Sequence, residues 1–177
     1  MPKKFECIVT PTTCSTYDIC IWDNIDGFED YDDLVKHLNK VTKDDNVCLR
    51  VATSGGRCDV GFMLIDRFGG LPCPVEVVVP YPTYSMGALM ALCGDWLTIE
   101  DGSYLMFHDY SGGGGRAKGN ETLKATEAYC EVFTHRFNTI CQPFLTKKEC
   151  DSVLHGKDLY IKWNDPTLEA RIKRHFK

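Results

Sequence analysis

The chain is as informative for what it lacks as for what it holds. None of its apolar runs approaches the roughly 18 residues that mark a membrane-spanning helix, so no membrane partner is expected. Met1, Pro2, Lys3 and Lys4 do not open a signal peptide. Net charge is −5, and no basic stripe interleaves with aromatics, which argues against nucleic acid as a partner. The ten cysteines include no C-x-x-C pair and no Cys/His cluster with zinc-like spacing. Several, such as Cys48 and Cys93, sit in apolar runs, where free cysteine is a small hydrophobe. Reduced thiols and a cytoplasmic setting are the expectation. The glycine run Gly112 to Gly115 does not match a phosphate loop, because Lys118 follows Ala117 and precedes Gly119. Neither metal nor cofactor is expected, and no internal repeat is visible.

At 177 residues the chain reads as one domain with a substantial core. Residues 1–17 are an N-terminal arm or an extra strand, and 18–177 the main domain. Tyr17 to Trp22, Val47 to Ala52 and Val75 to Val79 are short β-branched or apolar runs that predict strands. Asp30 to Val41 places Tyr31, Leu34, Val35 and Leu38 at helical spacing, and Val60 to Phe68 is helical up to Gly69 and Gly70. This alternation predicts an α/β fold, with a parallel sheet wrapped by helices and ligands at the carboxyl ends of its strands. Trp96 to Ile99 and Tyr104 to His108 add strands. Residues 120–144 carry Tyr129, Phe133, Phe137, Ile140 and Phe144 at three-to-four spacing, one helix about 35 Å long that projects beyond a small sheet. Thr146 and Glu149 form a capping box for a further helix. Lys157 to Lys162 is extended, Asp165 and Pro166 open a last helix, and the basic tail from Arg171 reads as a solvated helix end.

The chain is organised around Pro80 to Asp95. Two prolines, Pro80 and Pro82, end the Val75–Val79 strand, and Ser85, Met86, Gly87 and Ala88 open a small-residue helix that runs towards Gly94. A serine at such a turn exposes its hydroxyl beside free backbone N–H groups that can hold an oxyanion. The alternative is that Ser85 only caps the helix. Acyl transfer also needs a base, a group that orients it and an oxyanion hole. Gly55 or Gly56, with Met86, supplies amides for the hole. Of five histidines, His108 ends an apolar strand on the same side as Ser85, whereas His37, His135, His155 and His175 read as surface residues. Asp109, Asp151, Asp158 and Asp165 are the candidate orienting acids. Asp158 enters an extended apolar segment, where a carboxylate would be partly buried and in need of a partner. Asp109 points to the opposite strand face from His108.

Four segments together resemble the ClpP family, the serine peptidase of the Clp protease. Thr53, Ser54, Gly55 and Gly56 are similar to its Ser-Pro-Gly-Gly turn, and Tyr84 to Ala88 to its nucleophile motif. Leu105, Met106, Phe107 and His108, followed by glycines, are similar to its histidine strand, and Lys157 and Asp158 to its Arg-Asp. The separations, 23 residues from Ser85 to His108 and 50 from His108 to Asp158, are close to the family's. The likeness spans about Asp18 to Asp158. It implies the spiral of β-α units shared by ClpP and crotonase-like proteins, with helix 120–144 as the protruding handle. By position it implies Ser85 as nucleophile, His108 as general base and Asp158 as its orienting acid. Gly55 or Gly56 and Met86 would form the oxyanion hole. Gly112, Gly113, Gly114 and Tyr84 would hold an extended peptide or unfolded protein by strand pairing. Further implications are a homo-oligomeric ring, heptameric or doubly so, and feeding by an AAA+ unfoldase.

The chain also departs from the family. Tyr81, Pro82, Thr83 and Tyr84 replace Gly-x-Ala-Ala, which is expected to change the pocket floor, and Asp109 and Tyr110 replace Gln-Pro. These features point to a divergent branch, with a phage-type member acting in host cytoplasm as one reading. The alternatives are a prohead-type protease cutting capsid or scaffold proteins without an ATPase, a crotonase-like acyl-CoA enzyme, and an inactive ClpP-like subunit.

Overall fold

Val75–Val79 forms the strand that its composition predicts, and it lies inside a five-stranded sheet. The computed structural model describes residues 4–10, 14–111 and 119–176. In chain order the elements are β1 (Phe5–Thr10), β2 (Thr16–Ile21), a 3-10 turn (Phe28–Tyr31), α1 (Asp32–Leu38), β3 (Asn46–Val51), α2 (Cys58–Gly69), β4 (Val75–Val79), β5 (Thr83–Tyr84) and α3 (Met86–Met90). There follow β6 (Trp96–Ile99), β7 (Tyr104–Phe107), α4 (Gly119–Cys141), α5 (Lys147–Leu154), β8 (Leu159–Lys162) and α6 (Leu168–His175). This is a mixed α/β fold, with two sheets and six α-helices among the described residues. No helix among them is long and apolar enough to cross a membrane. Cys20, Cys73, Cys141 and Cys150 are buried free thiols.

The large sheet has the order β1-β2-β3-β4-β6, in which β2, β3, β4 and β6 are parallel and β1 is antiparallel to β2. One face carries Ile19, Ile21, Leu49, Val51, Val77 and Val79, all fully buried. The expectation of a sheet wrapped by helices is corrected at the other face. There Asp18, Arg50, Glu76 and Trp96 remain partly or fully exposed. Arg50 Nε donates to Asp18 Oδ1 at 3.2 Å across neighbouring strands. Alternation along β3 is what a half-buried strand requires.

The second sheet, β5-β7-β8, was not foreseen. Pro80 and Pro82 break the chain out of β4, because proline lacks the N–H that the ladder needs. The chain then re-enters extended geometry for two residues only. Thr83 and Tyr84 pair in parallel with Leu105 and Met106. Thr83 Oγ1 donates to Val51 O at 2.9 Å, and Tyr84 N donates to Thr53 O at 2.9 Å. These bonds tie the small sheet to the carboxyl end of β3. β8 runs antiparallel to β7, with Phe107 opposite Leu159.

α3 is shorter than expected and ends at Met90 rather than near Gly94. Beyond it, Leu92 N bonds Leu89 O and Cys93 N bonds Met90 O, the i to i+3 pattern of a tightened turn. The chain must swing back here, since Asp95 N donates to Val75 O at 2.7 Å and Asp95 Oδ2 accepts from Val75 N at 2.8 Å. A Cβ on Gly94 would lie 2.6 Å from Val75 O, so only glycine fits this approach.

α4 covers the predicted long helix up to Cys141, three residues short of Phe144, and so ends two residues before Pro143. Phe133, Phe137 and Cys141 bury its last turns, whereas Glu121 and every residue from Leu123 to Tyr129 are exposed. The Thr146 capping box forms as expected. The basic tail is corrected. Arg171 is only 7 % exposed and chelates Glu149, with Nη2 to Oε1 at 2.6 Å and Nη1 to Oε2 at 3.0 Å. His175, expected on the surface, is largely buried and donates through Nε2 to Leu92 O at 3.0 Å, and burial lowers its pKa.

Candidate active site

Ser85 has φ 57° and ψ −125°, and it is the one non-glycine residue with positive φ among the described residues. Such a backbone costs a non-glycine residue about 1–3 kcal/mol and persists only where the surroundings enforce it. Here Ser85 N donates to Met106 O at 2.8 Å, and Ser85 O accepts from Ala88 N at 3.0 Å. On the far side, Gly87 sits so close to Thr53 and Thr83 that a Cβ would approach Thr53 Cγ2 at 2.5 Å. The turn is therefore clamped between β7 and the loop after β3. The capping alternative fails: Ser85 makes no side-chain cap bond to α3. Its hydroxyl remains available.

Gly55 and Gly56 both take positive φ, 95° and 147°. A Cβ on Gly55 would stand 2.7 Å from Ser85 Cβ and 3.0 Å from Met86 N, so this loop is seated directly against the serine turn. The Gly55 N–H donates to Thr53 Oγ1 at 3.0 Å, which commits it. The bridge between Ile25 and Gly56 uses Gly55 O and Arg57 N, and leaves the Gly56 N–H without a backbone acceptor among the described residues. Met86 N, at the first position of α3, is free in the same sense. Of the two glycines, Gly56 thus offers the amide.

His108 follows β7 directly. It lines one small cavity together with Gly56, Ser85 and Met86, four residues drawn from three separate segments. Asp158 precedes β8. One step beyond the Phe107–Leu159 pair, the antiparallel register sets Asp158 opposite His108. Both also fall on the sheet face that carries Met106 and Tyr160, by the two-residue period. Two aspects of the expectation are corrected. Asp158 is exposed rather than partly buried. Among the described residues no hydrogen bond joins Ser85, His108 and Asp158. Asp109 instead accepts from Tyr110 N at 2.8 Å.

Tyr84 does not line the cavity, and Tyr81 and Pro82 do not form its floor. Tyr84 pairs with Met106 and so shares the sheet face on which His108 and Asp158 fall. There its ring packs edge-on against Tyr104, with centroids 5.5 Å apart, and the two hydroxyls hydrogen-bond. Tyr160 continues the aromatic row. Gly112, Gly113 and Gly114 lie outside the described residues.

The remaining cavity walls went unassigned in the sequence: Cys58, Leu89, Tyr110, Ser111 and Phe133. Leu89 lies one helical turn from Ser85, and Phe133 belongs to the apolar period of α4, so each carried a local signal of burial but none of the site. Cys58 is half-buried, and burial pushes its thiol pKa up.

Among the described residues no group of His, Cys, Asp and Glu could hold a metal ion. No protein-family model matches the chain, and no curated protein matches it in sequence.

Proposed function

We propose that the chain is a ClpP-like serine endopeptidase that cleaves extended peptides through an acyl-enzyme. The single observation that carries this is the strained, uncapped Ser85. Ser85 lines one cavity with His108, Gly56 and Met86, and the amides of the last two have no backbone acceptor among the described residues. In the mechanism, His108 takes the Ser85 proton as Oγ attacks the scissile carbonyl. The oxyanion that forms is held by the Gly56 and Met86 N–H groups. His108 then gives the proton to the departing amine, and water, activated by the same imidazole, releases the acyl group. Asp158, opposite His108 in register, orients the ring and steadies its cationic form. No cofactor takes part.

The fold is proposed to be the ClpP and crotonase type of β-α spiral, with α4 as the handle. The exposed side of α4, with Leu123 and Val132 bare, supports packing against a second copy in a ring that encloses the site. Unfolded protein is the substrate class, delivered by an AAA+ unfoldase in the cytoplasm.

This function is tested by incubating the assembled protein with short unstructured fluorogenic peptides. Turnover without nucleotide is expected. Intact peptide after prolonged incubation with stoichiometric protein would reject the proposal.

A further inference from the structure

Thr53 stands just beyond β3, where the chain enters the Gly55–Gly56 loop, and it is only 3 % exposed. Its hydroxyl donates to Asp23 O at 2.7 Å. A hydroxyl has one proton, so towards Gly55 it can only accept, and it takes the Gly55 N–H at 3.0 Å. The Thr53 carbonyl accepts from Tyr84 N, the residue before Ser85, at 2.9 Å. Its methyl lies against Gly87, where an added Cβ would meet Thr53 Cγ2 at 2.5 Å. One buried residue thus joins the segment after β2, the glycine loop and the serine turn.

The bond to Gly55 bears on which amide the loop presents. Gly55 O accepts from Ile25 N at 2.8 Å. The Gly55–Gly56 peptide is trans, so its N–H points opposite to its C=O. Holding Gly55 O on Ile25 therefore turns the Gly56 N–H away from that segment. Gly55 is buried and Gly56 exposed, as this orientation requires. Gly55 has φ 95°. Glycine moves easily between backbone regions, so its own preference does not keep it there. The Thr53 hydroxyl does, by holding the Gly55 N–H on one side of that rotation while Ile25 holds the Gly55 carbonyl on the other.

We infer that Thr53 is a positioning residue for the oxyanion hole: its hydroxyl, fixed on Asp23 O, holds Gly55 and so aims the Gly56 amide at the oxygen of the carbonyl that Ser85 attacks. The inference rests on the peptidase proposal. Thr53 touches no reacting atom and acts through Gly55. Without the hydroxyl the hole keeps the Met86 amide and loses the fixed aim of its partner. The loss falls on kcat, because the oxyanion exists only once attack has begun.

The test uses the full chain and a short unstructured fluorogenic peptide. Thr53→Val keeps the size and the methyl and removes the hydroxyl. It is expected to lower kcat by about 10–100-fold and leave KM unchanged. Thr53→Ser keeps the hydroxyl and is expected to recover most of that loss. A folded Thr53→Val with unchanged kcat overturns the inference, as does a loss that Thr53→Ser shares in full. Amide exchange in wild type, read by nuclear magnetic resonance with isotope-labelled glycine, decides should Thr53→Val not fold. The Gly55 amide is expected to exchange slowly and the Gly56 amide fast. After a fluorophosphonate has labelled Ser85, placing an oxygen in the hole, the Gly56 amide is expected to slow. A Gly55 amide that exchanges as fast as that of Gly56, or a Gly56 amide that labelling leaves unchanged, overturns the inference. Any of these failures in a wild type that is labelled at Ser85 and cleaves peptide overturns this inference alone. Absence of both labelling and cleavage overturns the peptidase proposal with it.

Discussion

Ser85→Ala and His108→Ala should each lower kcat/KM for peptide cleavage by about 10⁴-fold or more, and the double variant should lose no more than either. In the proposed mechanism the two residues act as one unit. Ser85 Oγ is a weak nucleophile until its proton is removed, and an imidazole without the serine has no proton to take. What remains is the Gly56 and Met86 hole and substrate binding, which neither substitution touches. Asp158→Asn should cost less, about 10²-fold, because Asp158 is exposed in this chain and its charge is screened by solvent. The loss in that variant should fall on kcat and leave KM unchanged, since an orienting carboxylate acts as charge develops on the imidazole. Losses that multiply in the double variant would mean that Ser85 and His108 work independently, and would break the triad assignment. Circular dichroism and the oligomeric state are expected to be unchanged in all three single variants.

The second large effect is on stability. Arg171→Ala should destabilise the fold by about 2–3 kcal/mol, or about 5–10 °C in Tm for a chain of this size. Arg171 joins α6 to the start of α5. Besides chelating Glu149, its Nε donates to Thr167 Oγ1 at 2.8 Å and its Nη1 to Phe144 O at 3.2 Å. Glu149 in turn accepts from Thr146 N at 2.7 Å and Thr146 Oγ1 at 2.8 Å, so its carboxylate is the hub of both the cap and the ion pair. Alanine would leave that carboxylate with the cap alone and leave a hole where the guanidinium was. Arg171→Lys should recover only part of the loss, since an ammonium cannot span both carboxylate oxygens.

The pair also carries a pH dependence of fixed sign. The bidentate Arg171 bonds, with the Thr146 cap, hold the Glu149 pKa at about 2, below its ordinary 4.5. A depressed carboxylate stabilises fully above its unfolded pKa, and the contribution fades as pH falls from about 4.5 towards 2. The gap between wild type and Arg171→Ala in denaturant unfolding should therefore be full at pH 7 and narrow by pH 3. A gap that is constant across that range would mean the guanidinium acts by packing alone.

These residues also show why part of the molecule was legible in the sequence and part was not. Local signals held where local physics decides. Thr146 and Glu149 lie three apart before an apolar run and form the box that this spacing implies. Val75 to Val79 is β-branched at four of its five positions and forms the strand. Arg171 failed because its partner lies 22 residues away, on a helix whose position the sequence does not announce. A basic tail and a buried chelating arginine look alike until tertiary contacts are known. The small sheet failed for a related reason. β5 has two residues, too few to carry a period, and exists only because β7 and the Thr53 loop hold it. At the candidate site, Ser85, His108, Gly56 and Met86 were singled out because chemistry restricts which residue types can serve, and the structure gathers all four around one cavity. The Tyr81–Tyr84 stretch was expected to change the pocket floor, and none of its residues lines the cavity beside Ser85. Tyr110 and Cys58 do line it, and each meets α4 through contacts that no motif encodes.

The central claim is that Ser85 is the nucleophile, and covalent capture tests it most directly. The assembled wild-type protein is treated with a fluorophosphonate, digested and mapped by mass spectrometry. The expected result is a single phosphonyl adduct on Ser85. It should be absent in Ser85→Ala and formed at least about 100-fold more slowly in His108→Ala, because the imidazole must take the serine proton. An adduct on any other residue, or labelling of Ser85 at the same rate without His108, would contradict the account.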